Sequence, residues 1–178
     1  MTGEELARLV SGPFLAACAL LAVAGGAKLL RPANAGPAAR ALRLPSGPTA
    51  ARALGAIELG VALAGVMFGG WAAVAVAAGY GMLAVASFAL WRTAPATPCG
   101  CIGASSTTPA SAGHVVVNTL AALIGAAAAA GGSPLRVVAD QPLLGVPFVA
   151  LTALAAWLAA LTLDALPALR VAVREGNS

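Results

Sequence analysis

The sequence predicts an all-α, polytopic membrane helical bundle. Of its 178 residues, 60% are hydrophobic and only 9% are charged, and the mean hydropathy is +0.92. Soluble domains carry roughly 25% charged residues, so a soluble fold could not hide this much apolar surface. The apolar residues also fall into stretches of about 20, the length that crosses a bilayer as one helix. The basic residues lie in loops and near the ends of these stretches, so the net charge of +4 does not indicate nucleic-acid binding.

Three spans are expected in the first half of the chain. The first covers residues 12–30, and the acidic residues ahead of it argue against a secretory signal, whose start would be basic. Residues 32–49 are rich in Pro, Gly and Arg and are predicted to form a linker at the membrane surface. The second and third spans, 50–69 and 71–91, meet at a tight Gly69-Gly70 turn. Trp71 and Trp91 are roughly 30 Å apart along a helix, which places one Trp at each interface.

The second half carries one polar loop and two further spans. Residues 92–112 form the loop that contains Cys99 and Cys101, and a fourth span is expected over 113–130. A short loop, 131–142, leads to a fifth span over 143–163, in which Pro147 bends the first turn. The expected division is a four-helix transmembrane domain over 1–131 and an additional transmembrane helix with a basic tail over 132–178.

The segment of the chain with the most reactive side chains is Cys99-Gly100-Cys101. Two thiols this close suit a redox pair, a clamp for a soft metal such as copper(I), or a structural staple. The metal function is disfavoured because the spans contain no methionine-rich pore and no second cysteine pair. The chain also has no nucleotide-binding glycine fingerprint, so an electron acceptor would be lipid-soluble or another protein. Cys18 falls near mid-membrane and is expected to be a packing residue.

Glu58 is the one carboxyl group inside the second span. Small residues recur around it at three- and four-residue steps, so this face is expected to pack inside the bundle. A carboxyl at that depth is neutral, paired or exposed to water, and Lys28 near the end of the first span is the natural partner. Glu58 then serves either as a proton or ligand site or as a structural hydrogen-bonding group. The small-residue face comprises Ala51, Gly55, Glu58, Ala62, Gly65 and Gly69.

His114 opens the fourth span on the same membrane side as the cysteine loop, and Asn118 follows one turn later. A lone histidine at a helix end is often a solvated cap, but beside a dithiol it can tune a thiol pKa or relay a proton. No metal site is predicted. The candidate catalytic residues are therefore Cys99, Cys101, Glu58, His114 and Lys28.

Three motifs in this order resemble one family. They are Gly25-Gly26-Ala27-Lys28-Leu29, then Ile57-Glu58-Leu59-Gly60, then Cys99-Gly100-Cys101-Ile102-Gly103. Over residues 14–131 the chain is similar to the methylamine utilisation protein MauE family, a branch of the DoxX-like membrane proteins. Two departures are Ile102, in place of the usual aromatic residue, and the absence of the Arg that often precedes Asn118.

The resemblance implies a four-helix core similar to that of disulfide-forming membrane enzymes such as vitamin K epoxide reductase. It also implies a multi-pass plasma-membrane protein that supports disulfide formation or maturation of a secreted or thioredoxin-like partner. Electrons would pass through the cysteine pair to quinone, which is not held tightly. Methylamine oxidation itself need not be involved.

The charges and the implied function favour opposite orientations. Most cations lie on the side of the cysteine loop, which the positive-inside rule assigns to the cytoplasm. Disulfide donation to secreted proteins instead requires the cysteines outside. The cations on the cysteine side are Lys28, Arg31, Arg40, Arg43, Arg52, Arg92, Arg170 and Arg174, against Arg8 and Arg136 opposite.

Overall fold

The computed structural model describes residues 3–100, 109–139, 151–154 and 158. Within these residues the regular elements are helices, and no strand is present beyond a single isolated bridge. The predicted all-α class is therefore confirmed. A 3₁₀ turn, Pro32–Ala35, follows the first helix. The helices are α1 Gly3–Leu30, α2 Gly36–Ala41, α3 Pro48–Phe68, α4 Trp71–Thr93, α5 Ala112–Ala128 and α6 Pro134–Ala139.

Three of the described helices are long and apolar enough to span a membrane, namely α1 from Leu9 onward, α3 and α4. The fourth predicted span corresponds to α5, which is apolar but has only 17 residues. The boundaries of α3, α4 and α5 agree with prediction within about two residues. α1 begins well before the predicted start of its span, because the helix continues beyond its apolar part. The fifth predicted span lies outside the described residues, except that 151–154 and 158 are helical.

Two segments predicted as loops contain helices. The linker 32–49 includes the 3₁₀ turn and α2, and each of them has a proline in its first turn, Pro32 and Pro37. The loop 131–142 includes α6, which begins at Pro134. Proline breaks a helix interior but is favoured at the first position, where its missing N–H costs nothing. The prolines in these two segments, which the prediction interpreted as a sign of loops, therefore mark the first turns of helices.

The long helices pack mainly as two pairs, α1 with α3 and α4 with α5, and α1 also contacts α5. α1 and α3 run antiparallel, since Gly25 adjoins Gly55 while Cys18 adjoins Gly65. Cys18 is 1% exposed and lies in the central core, which confirms its prediction as a packing residue. The buried core includes Phe14, Ala17, Cys18, Leu21, Ala62, Ala73, Val76, Tyr80, Ala121 and Ala128.

α3 presents small residues inward and large apolar residues outward, as predicted. The buried residues of α3 are Ala51, Gly55, Glu58, Ala62 and Gly65. Ile57, Leu63 and Met67 on the opposite face are all more than half exposed. Small inward residues let helix backbones approach closely, while the large residues are left for contact with lipid. Trp71 and Trp91, at opposite ends of α4, are both exposed, as the interface prediction requires.

The predicted turn between α3 and α4 is present. Gly69 and Gly70 both have positive φ angles, 62° and 48°, which glycine adopts without steric cost. A Cβ atom on Gly69 would collide with the carbonyl of Gly132. The turn therefore packs directly on the segment between α5 and α6, at the end of the bundle opposite the cysteine loop.

Candidate functional site

The ends of the cysteine loop are held side by side. The Ala110 N–H donates to the Thr97 carbonyl at 3.2 Å, and Pro98 forms an isolated bridge with Pro109. This clamp positions Cys99, whose side chain is only 6% exposed and packs with Leu90, Ala110 and Ala38. Cys99 is disulfide-bonded and Cys18 is a free thiol. Cys101 lies outside the described residues.

The connection between α1 and α3 covers Cys99. Gly100 has a φ of 62°, and a Cβ atom there would lie 2.9 Å from the Asn34 carbonyl oxygen. The backbone at Gly100 thus packs directly on the 3₁₀ turn, and only glycine fits this combination of conformation and contact. Ala38 and Leu42 add apolar contacts around Cys99. The segment predicted as a surface linker is therefore part of the site.

Ser87 and Asn118 are the polar neighbours of Cys99. Ser87 Oγ lies 3.8 Å from Cys99 Sγ, and Asn118 Nδ2 donates to Ser87 Oγ at 3.1 Å. Ser87 is fully buried and Asn118 is 8% exposed. The sequence analysis missed Ser87. Its signal was that it is the only serine in an otherwise apolar span, which ends one loop before the cysteines.

Lys28 and Glu58 form a buried ion pair, as predicted. Lys28 Nζ lies 2.7 Å from Glu58 Oε2, and the side chains are 5% and 7% exposed. Helical side chains lean toward the N-terminus of their own helix. Because α1 and α3 are antiparallel, Lys28 leans away from the cysteine end and Glu58 leans toward it. Lys28 Nζ also approaches the Ala24 carbonyl at 3.5 Å, which places the ammonium group inside the helix interface.

Two glycines allow the backbones of α1 and α3 to approach closely beside this ion pair. A Cβ on Gly25 would lie 2.6 Å from the Gly55 carbonyl oxygen, and a Cβ on Gly55 would lie 2.6 Å from the Gly25 carbonyl oxygen. Each glycine precedes its charged residue by three positions, so Gly25 and Lys28, like Gly55 and Glu58, share a helix face. The backbones therefore touch within one turn of the charges, and the ion pair is sealed between them.

His114 is 4% exposed, and its Nδ1 lies 2.9 Å from the hydroxyl of Ser111, the residue that precedes α5. The alternative of a solvated helix cap is therefore wrong, because the ring is buried at the start of the helix. Asn118, predicted one turn after His114, and Gly125 follow on the same buried face of α5.

A second tie that the sequence analysis missed involves Tyr80. Its hydroxyl donates to the Ala17 carbonyl at 2.6 Å, which joins α4 to α1 near the centre of the bundle. Among the described residues, no buried side-chain nitrogen or oxygen lacks a hydrogen-bond partner. No group of three or more His, Cys, Asp or Glu side chains suited to a metal ion occurs in the same part of the chain.

The apolar helices define the class as a polytopic helical membrane protein, with a clamped cysteine loop at one end of the bundle and a buried ion pair on the same side. The model of the methylamine utilisation protein MauE family matches residues 6–131, and the chain belongs to this family. The resemblance that the three motifs carried is thereby confirmed. No curated protein and no solved structure matches the chain.

Proposed function

We propose that this chain is a thiol–disulfide oxidoreductase of the plasma membrane, in which Cys99 and Cys101 form the reactive pair. The observation that supports the proposal is the seat of Cys99. Its sulfur is disulfide-bonded, held at the end of the bundle and placed beside a buried hydroxyl. A merely structural bridge would need neither the hydroxyl nor the cover formed by the 3₁₀ turn and α2.

The proposed reaction has two halves. In the first, a partner dithiol reduces the Cys99–Cys101 disulfide by exchange through a mixed disulfide, so the partner gains a disulfide. In the second, the reduced pair passes two electrons and two protons to a quinone in the bilayer, which becomes the quinol. The partner would be a secreted or thioredoxin-like protein with paired cysteines. The family name refers to methylamine utilisation.

The Lys28–Glu58 pair is proposed to handle protons. The quinone takes up two protons for every dithiol that is oxidised, and a carboxyl group below the cysteine loop can carry them or hydrogen-bond a quinone carbonyl. Lys28 holds Glu58 in place at 2.7 Å and offers a counter-charge while the carboxyl is ionised. In this role the two residues are the acid–base part of the site, with His114 at the rim of the bundle.

The test is direct reoxidation of the dithiol. The purified full chain is reconstituted in nanodiscs, reduced, freed of reductant and mixed anaerobically with a soluble ubiquinone analogue, and quinol formation is followed by absorbance. We expect quinol at one equivalent per chain, and none from Cys99→Ser or Cys101→Ser. Cys18→Ala is the matched control, because Cys18 is buried in the core, and it should react as wild type. Wild-type quinol formation by both single variants would overturn the redox function.

The same preparation separates the two competing functions. Stoichiometric copper(I) binding by the reduced chain, without quinol formation, would favour the soft-metal carrier. A disulfide that resists reduction under native conditions would favour the structural staple.

Thiol labelling in intact cells settles the orientation. A membrane-impermeant maleimide, applied before and after reduction, reports the side and the redox state of Cys99 and Cys101 together.

The positive-inside argument counts surface cations. Lys28 is paired with Glu58 inside the bundle and is not one of them. Arg31, Arg40, Arg43, Arg52 and Arg92 are all exposed on the cysteine side.

A further inference from the structure

A groove runs along the outer face of α4, from near the middle of the helix to its cysteine end. Its volume is about 560 Å³ and its lining is apolar. Met82 and Val85 in this lining are 68% and 70% exposed, so the groove is open to the bilayer. One stripe of α4 forms its floor, at steps of four, three and four residues, namely Ala78, Met82, Val85 and Ala89.

The connection between α1 and α3 contributes Leu42 and Leu44 to the lining at the cysteine end. Both leucines belong to the turn after α2, which two backbone hydrogen bonds fix. The Arg43 N–H donates to the Arg40 carbonyl at 3.0 Å, and the Leu44 N–H donates to the Ala39 carbonyl at 2.8 Å. Leu42 also packs against the buried cluster beneath α2, so this wall of the groove is a fixed part of the fold.

Two cations lie at the cysteine end of the groove. Arg43 lies between the two leucines, and Arg92 follows Ala89 by three residues on the same stripe of α4. Both side chains are exposed, and within the part of the chain that the structure describes neither guanidinium has a hydrogen bond or an ion pair. Unpaired positive charge at the end of an apolar groove matches a ligand that joins an acidic head to an apolar chain.

The backbone does not account for an arginine at position 43. Arg43 has a φ of 57°, and it is the only residue other than glycine with a positive φ among the described residues. It follows the last residues of a helix, a position at which glycine is usual because it adopts this conformation without steric cost. The presence of Arg43 therefore points to a function of its side chain.

The groove also has the length of one lipid chain. Ala78 and Ala89 are about 16 Å apart along the helix, at 1.5 Å per residue. The hydrocarbon core of a bilayer is about 30 Å thick, so each leaflet contributes about 15 Å. An acyl chain from the leaflet on the cysteine side fits between these two positions, with its phosphate group at the level of the cations.

We infer that this groove binds an anionic phospholipid, with an acyl chain along α4 and the phosphate between Arg43 and Arg92. Guanidinium groups bind phosphate through paired hydrogen bonds. An isoprenoid quinone would fit the apolar part but has no charge to match the cations. A second copy of the chain would bring the same cations into the contact, and like charges repel. The anionic phospholipid satisfies both the length and the charge.

This lipid site does not depend on the redox function proposed above. The bound lipid would contact the turn after α2 through Leu42 and Leu44, and Leu42 packs against the cluster that contains Cys99. The lipid therefore supports the segment that covers the cysteine end of the bundle, whatever reaction occurs there.

The first experiment measures lipid selectivity by native mass spectrometry. The purified full chain is delipidated in detergent and mixed with equal amounts of phosphatidylglycerol and phosphatidylcholine that carry the same acyl chains. We expect the wild type to retain phosphatidylglycerol about tenfold more than phosphatidylcholine, because each cation near the membrane surface contributes to the binding of anionic lipid. The double variant Arg43→Gln with Arg92→Gln should retain the two lipids equally.

Arg31→Gln with Arg52→Gln is the matched control. It removes the same charge from the same side of the membrane, and both residues are exposed. Arg31 directly follows α1 and Arg52 lies in α3, and neither helix lines the groove. This control should keep the wild-type selectivity. A control that loses as much selectivity as the groove variant, or a groove variant that loses none, would overturn the site.

The second experiment blocks the groove. Gly81 lines it, and a Cβ atom there has no atom within 4 Å, so Gly81→Phe can place its ring in the groove without a collision. Gly79→Phe is the control, because a Cβ on Gly79 also has open space and Gly79 does not line the groove. We expect Gly81→Phe to lose most of the retained phosphatidylglycerol and Gly79→Phe to keep it. Equal retention by the two variants would show that the lipid binds elsewhere.

The same spectra distinguish the other two occupants. Excess ubiquinone should leave the retained phosphatidylglycerol in place, and its displacement would assign the groove to the quinone and overturn the lipid site. A dimer that Gly81→Phe converts to a monomer, and Gly79→Phe does not, would assign the groove to a second copy of the chain.

Discussion

Each of the two helix pairs contains a buried polar contact between its helices, but the two contacts differ in chemistry. In α1 and α3 the buried polar link is a salt bridge between Lys28 and Glu58, and in α4 and α5 it is a neutral contact between Asn118 and Ser87. Both pairs also approach closely at a glycine. A Cβ on Gly25 would lie 2.6 Å from the partner backbone, whereas a Cβ on Gly125 would lie 3.0 Å from Ala77.

The position of the glycine explains the difference. Gly25 lies within one turn of Lys28, so the tightest part of the first pair encloses the charges. In the second pair the contact with Gly125 is at Ala77, about 15 Å along α4 from Ser87. The charged link is thus locked between two backbones. The neutral link lies near the open end of its pair, where a sulfur atom from the loop can join it. The first arrangement keeps the two charges in contact, and the second leaves room for a group from the loop.

The largest effect is expected from breaking the charged link on one side. Lys28→Met leaves a carboxyl group without its partner deep in the bundle, and we expect a loss of about 3 kcal/mol in unfolding free energy. The measurement is unfolding in mixed micelles by titration with a denaturing detergent. The double variant Lys28→Met with Glu58→Gln carries neither charge and should recover most of the loss. If Lys28→Met is as stable as wild type, the ion pair does not stabilise the packing of α1 against α3.

The next effect tests the crossing of α1 and α3. Gly25→Ala places a methyl group against the Gly55 carbonyl, where no flexible side chain can move aside, and we expect a loss of about 2 kcal/mol. Gly26→Ala is the matched control in the same helix, since a Cβ there has no atom within 4 Å. Equal stability of the two variants would mean that the close contact is not maintained in the bilayer.

A smaller loss, about 1 kcal/mol, is expected from Gly125→Ala in the second pair. Its added methyl group would lie 3.0–3.1 Å from atoms of Ala77, a distance that a small helix shift relieves. Gly79→Ala on α4 provides the control, because space around that glycine is open. Should Gly125→Ala cost more than Gly25→Ala, the order of tightness between the two pairs would be reversed.

The last expected effect is on a rate and leaves stability unchanged. Glu58→Gln keeps the size and hydrogen-bonding capacity of the carboxyl group but cannot carry a proton. Lys28 lies near the end of α1, where its stem can turn toward the headgroups, so we expect normal abundance. Quinone-driven reoxidation of the dithiol should slow about fivefold, which corresponds to about 1 kcal/mol in the barrier. Reoxidation at the wild-type rate would leave Glu58 with a structural function only.

Periodicity made the charged pair predictable. Glu58 lies on a face of small residues, and Lys28 lies near the end of the first span, toward the same side of the membrane. The same period identified the buried face of α3 and placed Asn118 one turn after His114 on α5. In these cases the burial of a residue follows from its position along a regular helix, so the order of residues determines it.

Ser87 and the cover over Cys99 could not be predicted in this way. A single hydroxyl in an apolar span has no periodic partner, and by default it bonds to its own helix backbone. The contacts of Gly100 with Asn34, and of Cys99 with Ala38, join segments about sixty residues apart through irregular backbone.

The sequence by itself determined the membrane class and the helix faces, because hydrophobicity and helical period are local properties. Only the tertiary structure decided that Cys99 is buried beneath α2 and beside Ser87. That outcome depends on how the two helix pairs dock and where the loop between α4 and α5 closes, and neither the docking nor the closure leaves a repeating pattern in the order of residues.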